Sequence, residues 1–218
     1  KNIENSIRTI ILCLIDILIL LLSIRHIIIS ERDRGIYDAM NKGIELATGD
    51  IIGMLNSDDV YEDQTVLSDV LCAFVSDVGL DILYGNLVYV KHNDLNAIVR
   101  SWKSVNYYKN FFEHGNVPPH PTLFLRASVY DIVGKFSLGY KLASDYEFML
   151  RLFKSEKFQS KYLNRLFIRM RLGGATNKSF KNILNGNIEI YKSWSNNNLR
   201  IPIFFYFFRF INRIKQFI

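Results

Sequence analysis

The chain has 218 residues, 49% of them hydrophobic, with 27 Lys and Arg against 21 Asp and Glu. A chain of this length and apolar content can bury a core, which excludes a wholly disordered protein and fits one α/β domain. The charge is uneven: residues 151–218 carry 14 basic side chains but only two acidic ones, Glu156 and Glu189, a block suited to phosphate-bearing ligands or anionic lipid. No nucleic-acid-binding signature accompanies it, so nucleic acid is not expected as a partner.

Residues 10–29 are mostly apolar, but Asp16, Arg25 and His26 interrupt them. The uninterrupted stretch 17–22 is too short to span a bilayer, and no small-residue cleavage site of a signal peptide follows. A buried helix followed by a buried strand at 27–29 is expected, with a membrane-inserted hairpin or anchor as the alternative. Ile36, Met40, Ile44 and Ala47 recur at helical spacing and the pattern stops at Gly49. Residues 51–55 (IIGML) read as a buried strand, followed abruptly by Asn56-Ser57-Asp58-Asp59. Asp63 can cap a helix carrying Val66, Val70, Leu71 and Phe74, and residues 81–90 (DILYGNLVYV) form the next strand, ending in a turn at 92–94. Residues 102–112 are aromatic, helical or looped, and lead to Pro118-Pro119-His120-Pro121, which cannot be helix interior. A strand at 122–125, a short helix ended by Gly134 and a helix from Ser144 to about residue 153 follow, the last opened by a capping box of Ser144 and Glu147. Alternating helices and strands predict a mostly parallel sheet covered by helices. Cys13 and Cys72 show neither CxxC nor Cys/His spacing, so no disulfide framework or structural zinc is expected, and a reducing, cytoplasmic compartment is the default.

Chemistry concentrates in a few of these segments. Asp58 and Asp59 are hard oxygen donors just past a strand's C-terminal end, where open α/β sheets bind ligands; they suit Mg²⁺ or Mn²⁺, or simply a turn. Asp145, in the first turn of a helix, suits a general base or plain helix stabilisation. His120 is either a site residue on a loop or a buried hydrogen-bonding side chain. Gly173-Gly174, after the basic stretch 168–171, permits close approach of a ligand or a tight turn.

Taken in order, these pieces resemble one family. Residues 35–44 (GIYDAMNKGI), 47–50 (ATGD) and 55–59 (LNSDD) are similar to the donor-binding half of family-two glycosyltransferases of the GT-A fold. Residues 120–126 (HPTLFLR), 143–148 (ASDYEF) and 171–176 (RLGGAT) resemble the acceptor-side motifs of bacterial members that build surface polysaccharides. The resemblance implies an inverting glycosyltransferase: Asp145 as catalytic base, Asp58 with Asp59 beside it on a divalent cation (Mg or Mn), Arg34 and Asn41 facing a nucleotide-sugar donor, His120, Gly173 and Gly174 near the substrates. Asn56 stands where the family most often has an aspartate. The first strand and the Asp-Gly-rich nucleoside loop have no counterpart in residues 1–25, so the donor-binding region is expected to be truncated or altered at its start, with residues 1–11 similar to the intervening helix. A catalytically inactive remnant acting as a membrane-associated interaction protein is the alternative.

The expected organisation is one GT-A-like domain over residues 1–198 and a basic, aromatic, amphipathic tail helix over 199–218. In the tail, Pro202 fits a helix's first position, and Arg209, Asn212, Arg213 and Gln216 form one polar stripe. The tail either packs its apolar face on the domain or lies in a membrane interface with Arg and Lys towards lipid phosphates. The expected partners are a UDP-sugar, a glycan or lipid-linked acceptor and an anionic membrane surface, with the protein cytoplasmic and peripheral on the inner face of the cell membrane.

Overall fold

The computed structural model describes residues 11–15, 29–173 and 180–217. A seven-stranded sheet organises them: β1 (Ile11–Ile15), β2 (Ile51–Leu55), β3 (Val60–Tyr61), β4 (Leu80–Lys91), β5 (Asp94–Trp102), β6 (Phe124–Arg126) and β7 (Gln159–Arg171). Their order is β1-β2-β6-β4-β7-β3, with β5 also paired to β4. The helices are α1 (Ile36–Leu46), α2 (Val66–Ser76), α3 (Ala127–Val133), α4 (Ser144–Lys154), α5 (Phe180–Asn196) and α6 (Phe205–Ile214).

The expected α/β class, a central sheet flanked by helices, is what forms, but its strands pair in mixed sense. Only β4 and β7 run parallel among the described pairs; β1–β2, β2–β6, β4–β6, β4–β5 and β3–β7 are antiparallel. One cause is connection length. β5 follows β4 after two residues, His92 and Asn93, and a turn that short can only reverse the chain. Neither this hairpin nor the two-residue β3 follows from helix–strand alternation.

Strand periodicity then divides the core into two layers. Ile52, Ile82 and Leu125 face a cluster with Met40 and Ile44 of α1, Phe148 and Leu152 of α4 and Trp194 of α5. Their neighbours Ile51, Leu83 and Phe124 face Val66, Val70 and Phe74 of α2. Successive residues on a strand point to opposite faces, so a strand covered on both sides is continuously apolar, as β2 is. Each such side chain contributes about 1.5–3 kcal/mol on burial. This two-sided covering holds the end of β2, and the acidic loop after it, in a fixed place.

At the N-terminus, residues 11–15 form a strand antiparallel to β2, from Ile11 opposite Leu55 to Ile15 opposite Ile51, and not the expected helix. β-branched isoleucines beside an open edge of β2 favour that pairing. Residues 1–10 and 16–28 lie outside the described residues, and with them most of the expected helices and strand. Ile29 is 42% exposed and belongs to no strand. Among the described residues no helix is long and apolar enough to cross a membrane.

The tail is helical from Phe205, with Phe204 as its N-cap; Pro202 precedes the helix and its carbonyl accepts a bond from the Phe205 amide. Its orientation reverses the packing alternative. Phe205 is fully buried against Trp194 and Tyr146, and Asn212 donates to the carbonyl of His114 (2.9 Å) and to Asn116 Oδ1 (3.2 Å). Arg209, Asn212 and Gln216 of the polar stripe therefore pack inward and Arg213 is exposed at the cleft, while Phe204, Phe207, Phe210, Ile214 and Phe217 are exposed. Gly115 makes the close approach possible. Its φ is +69°, and a Cβ there would meet Arg209 Cα at 2.6 Å and the Phe208 carbonyl carbon at 2.8 Å.

Candidate functional site

A cleft of about 890 Å³ opens where β2, β4 and β7 end. The loop after β2 contributes Asn56, Ser57 and Asp58, and α1 contributes Tyr37. His120 and Asp145 line it from the other side of the sheet's end, with Arg171 and Gly173 after β7. The β4–β5 hairpin adds Tyr89, Arg100 and Trp102, and α6 closes the cleft with Arg209, Asn212 and Arg213.

The two loop aspartates separate. Asp58 is exposed to the cleft, whereas Asp59 is 5% exposed and absent from the cleft lining. Asp59 Oδ2 accepts a 2.8 Å bond from Asn56 Nδ2, and its Oδ1 accepts from the Arg171 amide at 3.2 Å. Asp59 thus ties the loop to the end of β7. Burial raises its pKa to about 6 against the lowering effect of the Asn56 bond, and the neighbouring Asp58 charge adds to the rise. The Asn at 56 now has a physical reason: an aspartate there could not donate, and would set a second carboxylate against a buried one. Arg171 supports the same loop, with Nε donating to the Asp58 carbonyl (2.9 Å) and Nη1 to that of His92 (2.6 Å).

Asp145 lies in the first turn of α4, facing the cleft. Its Oδ1 accepts from Tyr37 Oη (3.1 Å) and from the Tyr146 amide (2.9 Å), and no bond holds Oδ2 among the described residues. One carboxylate oxygen is fixed and the other is left for a ligand. Burial, reinforced by the Asp145 charge, keeps the Tyr37 phenol protonated. The expected capping box is not what starts this helix. The Ser144 hydroxyl donates to the Ser137 carbonyl (2.7 Å), and Glu147 pairs with Arg151. Glu189 of α5 does the work from a distance: its carboxylate accepts the backbone amides of Lys141 (3.1 Å), Leu142 (2.8 Å) and Ala143 (2.9 Å). An ionised group on the free amides before a helix is the favourable end for the dipole.

His120 begins a single 3-10 turn, His120–Thr122, and is 9% exposed, its ring edge-on to Phe136 at 5.3 Å. Burial lowers its pKa, outweighing the Asp145 charge, so the imidazole facing the cleft is neutral at neutral pH. Arg34 and Asn41 are not brought to the cleft. Arg34 pairs with Asp38 at 3.0 Å on an exposed surface. Asn41 closes a two-bond ring with the Phe136 backbone, both at 2.9 Å, and so joins α1 to the loop before α4. Gly173 lines the cleft at φ +127° with open space where a Cβ would stand. Gly174 lies outside the described residues.

As a cation site, the donors are sparse. Among the described residues no group of three or more His, Cys, Asp or Glu side chains assembles. Asp58 with its free cleft-side carboxylate fits a hard cation that takes one protein carboxylate and completes its shell with phosphate oxygens and water. Asp59, committed to Asn56 and Arg171, does not fit as a second ligand. Sequence reading missed Tyr37, Arg100 and Glu189, each placed by tertiary contacts far along the chain, although the polar stripe of the tail did mark Arg209 and Arg213.

Fold and site define an α/β protein with a ligand cleft at the ends of its strands. The model of glycosyl transferase family 2 matches residues 10–133, more than half of the chain, and the chain belongs to that family. It is similar to the PGL/p-HBAD biosynthesis glycosyltransferases of Mycobacterium tuberculosis and Mycobacterium bovis, 27% identical over 140 residues, 64% of this chain and 52% of each relative. An uncharacterized glycosyltransferase of Mycobacterium tuberculosis is 30% identical over 123 residues, 56% of this chain and 45% of its own. The chain spans about half the length of the curated relatives it matches. Among solved structures, S. aureus TarS 1–349 aligns with a TM-score of 0.49 and 16% identity over 77% of this chain and 47% of that one.

Proposed function

We propose that this chain carries the active site of an inverting glycosyltransferase. It moves a sugar from a nucleoside-diphosphate donor, a UDP-sugar, to a hydroxyl of a glycan or lipid-linked acceptor in cell-surface polysaccharide biosynthesis. The observation that carries the reading is Asp145: Oδ1 held by Tyr37 and the Tyr146 amide, Oδ2 unbonded among the described residues, in the same cleft as Asp58. The acceptor oxygen attacks the anomeric carbon while its proton passes to Asp145 Oδ2; the bond from that carbon to the diphosphate oxygen breaks, and its electron pair leaves with the nucleoside diphosphate. A positioned base contributes typically 10²–10⁴-fold. Tyr37 orients the base, and neutral His120 lines the wall beside it. A divalent cation, Mg²⁺ or Mn²⁺, when held at Asp58 supplies positive charge opposite the diphosphate.

The test is Asp145→Asn, since the amide oxygen can still accept from Tyr37 and the Tyr146 amide. UDP affinity is expected to persist while transfer from the donor falls by at least about 10²-fold. Transfer within threefold of the parent contradicts a base at this position.

We also propose that α6 seats the protein on the inner face of the cell membrane. In support, α6 and its flanks expose Ile203 (94% exposed), Phe204, Phe207, Phe210 and Phe217 on a basic third of the chain. The contact is made by aromatic rings and not by the arginines, because Arg209 and Arg213 both line the cleft. Phe207→Ser with Phe210→Ser is expected to abolish co-sedimentation with phosphatidylglycerol vesicles, and unchanged co-sedimentation refutes it. Deleting the tail is not an equivalent test, because Phe205 belongs to the core.

A further inference from the structure

Several arginines elsewhere in this fold have acceptors. Arg126 donates to the carbonyls of Leu80 and Val78, Arg151 pairs with Glu147, Arg165 with Asp63 and Asp69, and Arg169 with Glu62. Arg100 and Arg209 differ. Both line the cleft, and neither has an ion pair among the described residues. Arg100 is 9% exposed, its guanidinium lies 3.8 Å over the Tyr89 ring and 5.7 Å from that of Phe217, and its Nε is buried without a hydrogen-bond partner. Arg209 is half-buried, with its guanidinium 5.5 Å from the Tyr146 ring.

Ring faces stabilise a cation but leave its N–H groups unused. The cost is compounded by proximity, because Arg213 of α6 lies close enough to act on both guanidinium groups. Like charges gathered in a partly desolvated cleft, with the buried Arg100 Nε unmet, destabilise the free protein. An anion entering the cleft removes each of those penalties at once. Guanidinium forks match phosphate oxygens in pairs, and this match is specific to arginine over lysine.

We infer that Arg100 and Arg209, with Arg213 at their edge, form a phosphate-binding site, so that α6 supplies part of the substrate site and the substrate placed beside Asp145 bears phosphate. The phosphate comes either from the nucleoside diphosphate of the donor or from an acceptor that is itself phosphorylated. The ligand's identity as a substrate rests on the transferase reading; binding of phosphate does not. A failed transfer assay leaves this inference standing, and a failed phosphate titration leaves Asp145 untouched.

The experiment is calorimetry on the full chain with inorganic pyrophosphate, without added divalent cation, repeated with Arg100→Gln and Arg209→Gln. Pyrophosphate is expected to bind the parent, and each variant to weaken it at least tenfold, while Lys157→Gln, an exposed charge outside the cleft, does not. In phosphate-free buffer both variants are expected to unfold at or above the parent's midpoint, since each removes an unmet charge; a merely structural arginine would lower it. Arg100→Lys, which keeps the charge but not the fork, is expected to weaken binding as well. Titration of UDP into the pyrophosphate complex separates the sources: displacement assigns the site to the donor, and unchanged UDP affinity assigns it to the acceptor. No pyrophosphate binding by the parent, or affinity unchanged in both glutamine variants, overturns the inference.

Discussion

Replacing Asp59 by Asn tests the account of the acidic loop through its dependence on pH. The buried carboxyl titrates at about 6 against an ordinary value of 3.8. The folded state therefore holds this proton more tightly than the unfolded one, so Asp59 supports the fold fully below about pH 4 and progressively less as pH rises to 6. The gap corresponds to about 3 kcal/mol at most. An asparagine has no charge to desolvate and can keep both contacts, its oxygen accepting from the Arg171 amide and the Asn56 side chain turning its own oxygen to the new NH₂. Urea unfolding of parent and variant from pH 4 to 8 measures the difference directly. The two should be nearly equal at pH 4, and the variant more stable by about 2–3 kcal/mol at pH 8. A difference that is flat with pH, or a variant less stable at pH 8, refutes the assignment of Asp59 to a buried tie. The same variant is expected to bind UDP with unaltered dependence on Mn²⁺, since both Asp59 oxygens already accept bonds from Asn56 and Arg171.

Other substitutions probe the framework around the cleft. Gly115→Ala should cost about 2 kcal/mol or more in urea unfolding, from the left-handed backbone and the collision with α6; a cost below about 0.5 kcal/mol means α6 does not pack there. Glu189→Gln removes the charge from three amide bonds before α4 and should destabilise by about 2 kcal/mol, an effect that chemical denaturation would miss if α5 did not cap α4. Tyr37→Phe should lower transfer about tenfold while changing stability by less than about 1 kcal/mol, because it removes one donor to the base; equal rates in variant and parent exclude Tyr37 as a positioning residue.

What the sequence made legible was local. Residues 51–55 form β2 with the expected bounds because a run covered on both faces reads as continuous apolar chain, and α1 and α2 follow their periodic patterns closely. The Gly134 stop of α3 is likewise written in one residue. Where the reading departed, a distant partner had won. Ser144 and Glu147 have the spacing of a capping box, yet each finds a better partner, in Ser137 and Arg151, once Glu189 arrives to cap the helix. Strand sense depended on the two-residue connection after β4, a detail that helix–strand alternation does not encode. In the tail the stripe was visible, but which face turns inward depended on Gly115 and on the acceptors at His114 and Asn116. Of the candidate site, Asp58, His120, Asp145 and Gly173 meet in one cleft, whereas Arg34, Asn41 and Asp59 serve Asp38, Phe136 and the Asn56 loop.

The most direct measurement of the central claim is calorimetric titration of UDP into the full chain, with Mn²⁺ and with chelator, for the parent and for Asp58→Asn. Mn²⁺ is expected to strengthen UDP binding to the parent, and Asp58→Asn, nearly the same shape without the charge, to lose that gain. Absence of UDP binding by the parent, or an equal response to Mn²⁺ in both proteins, would contradict the claim.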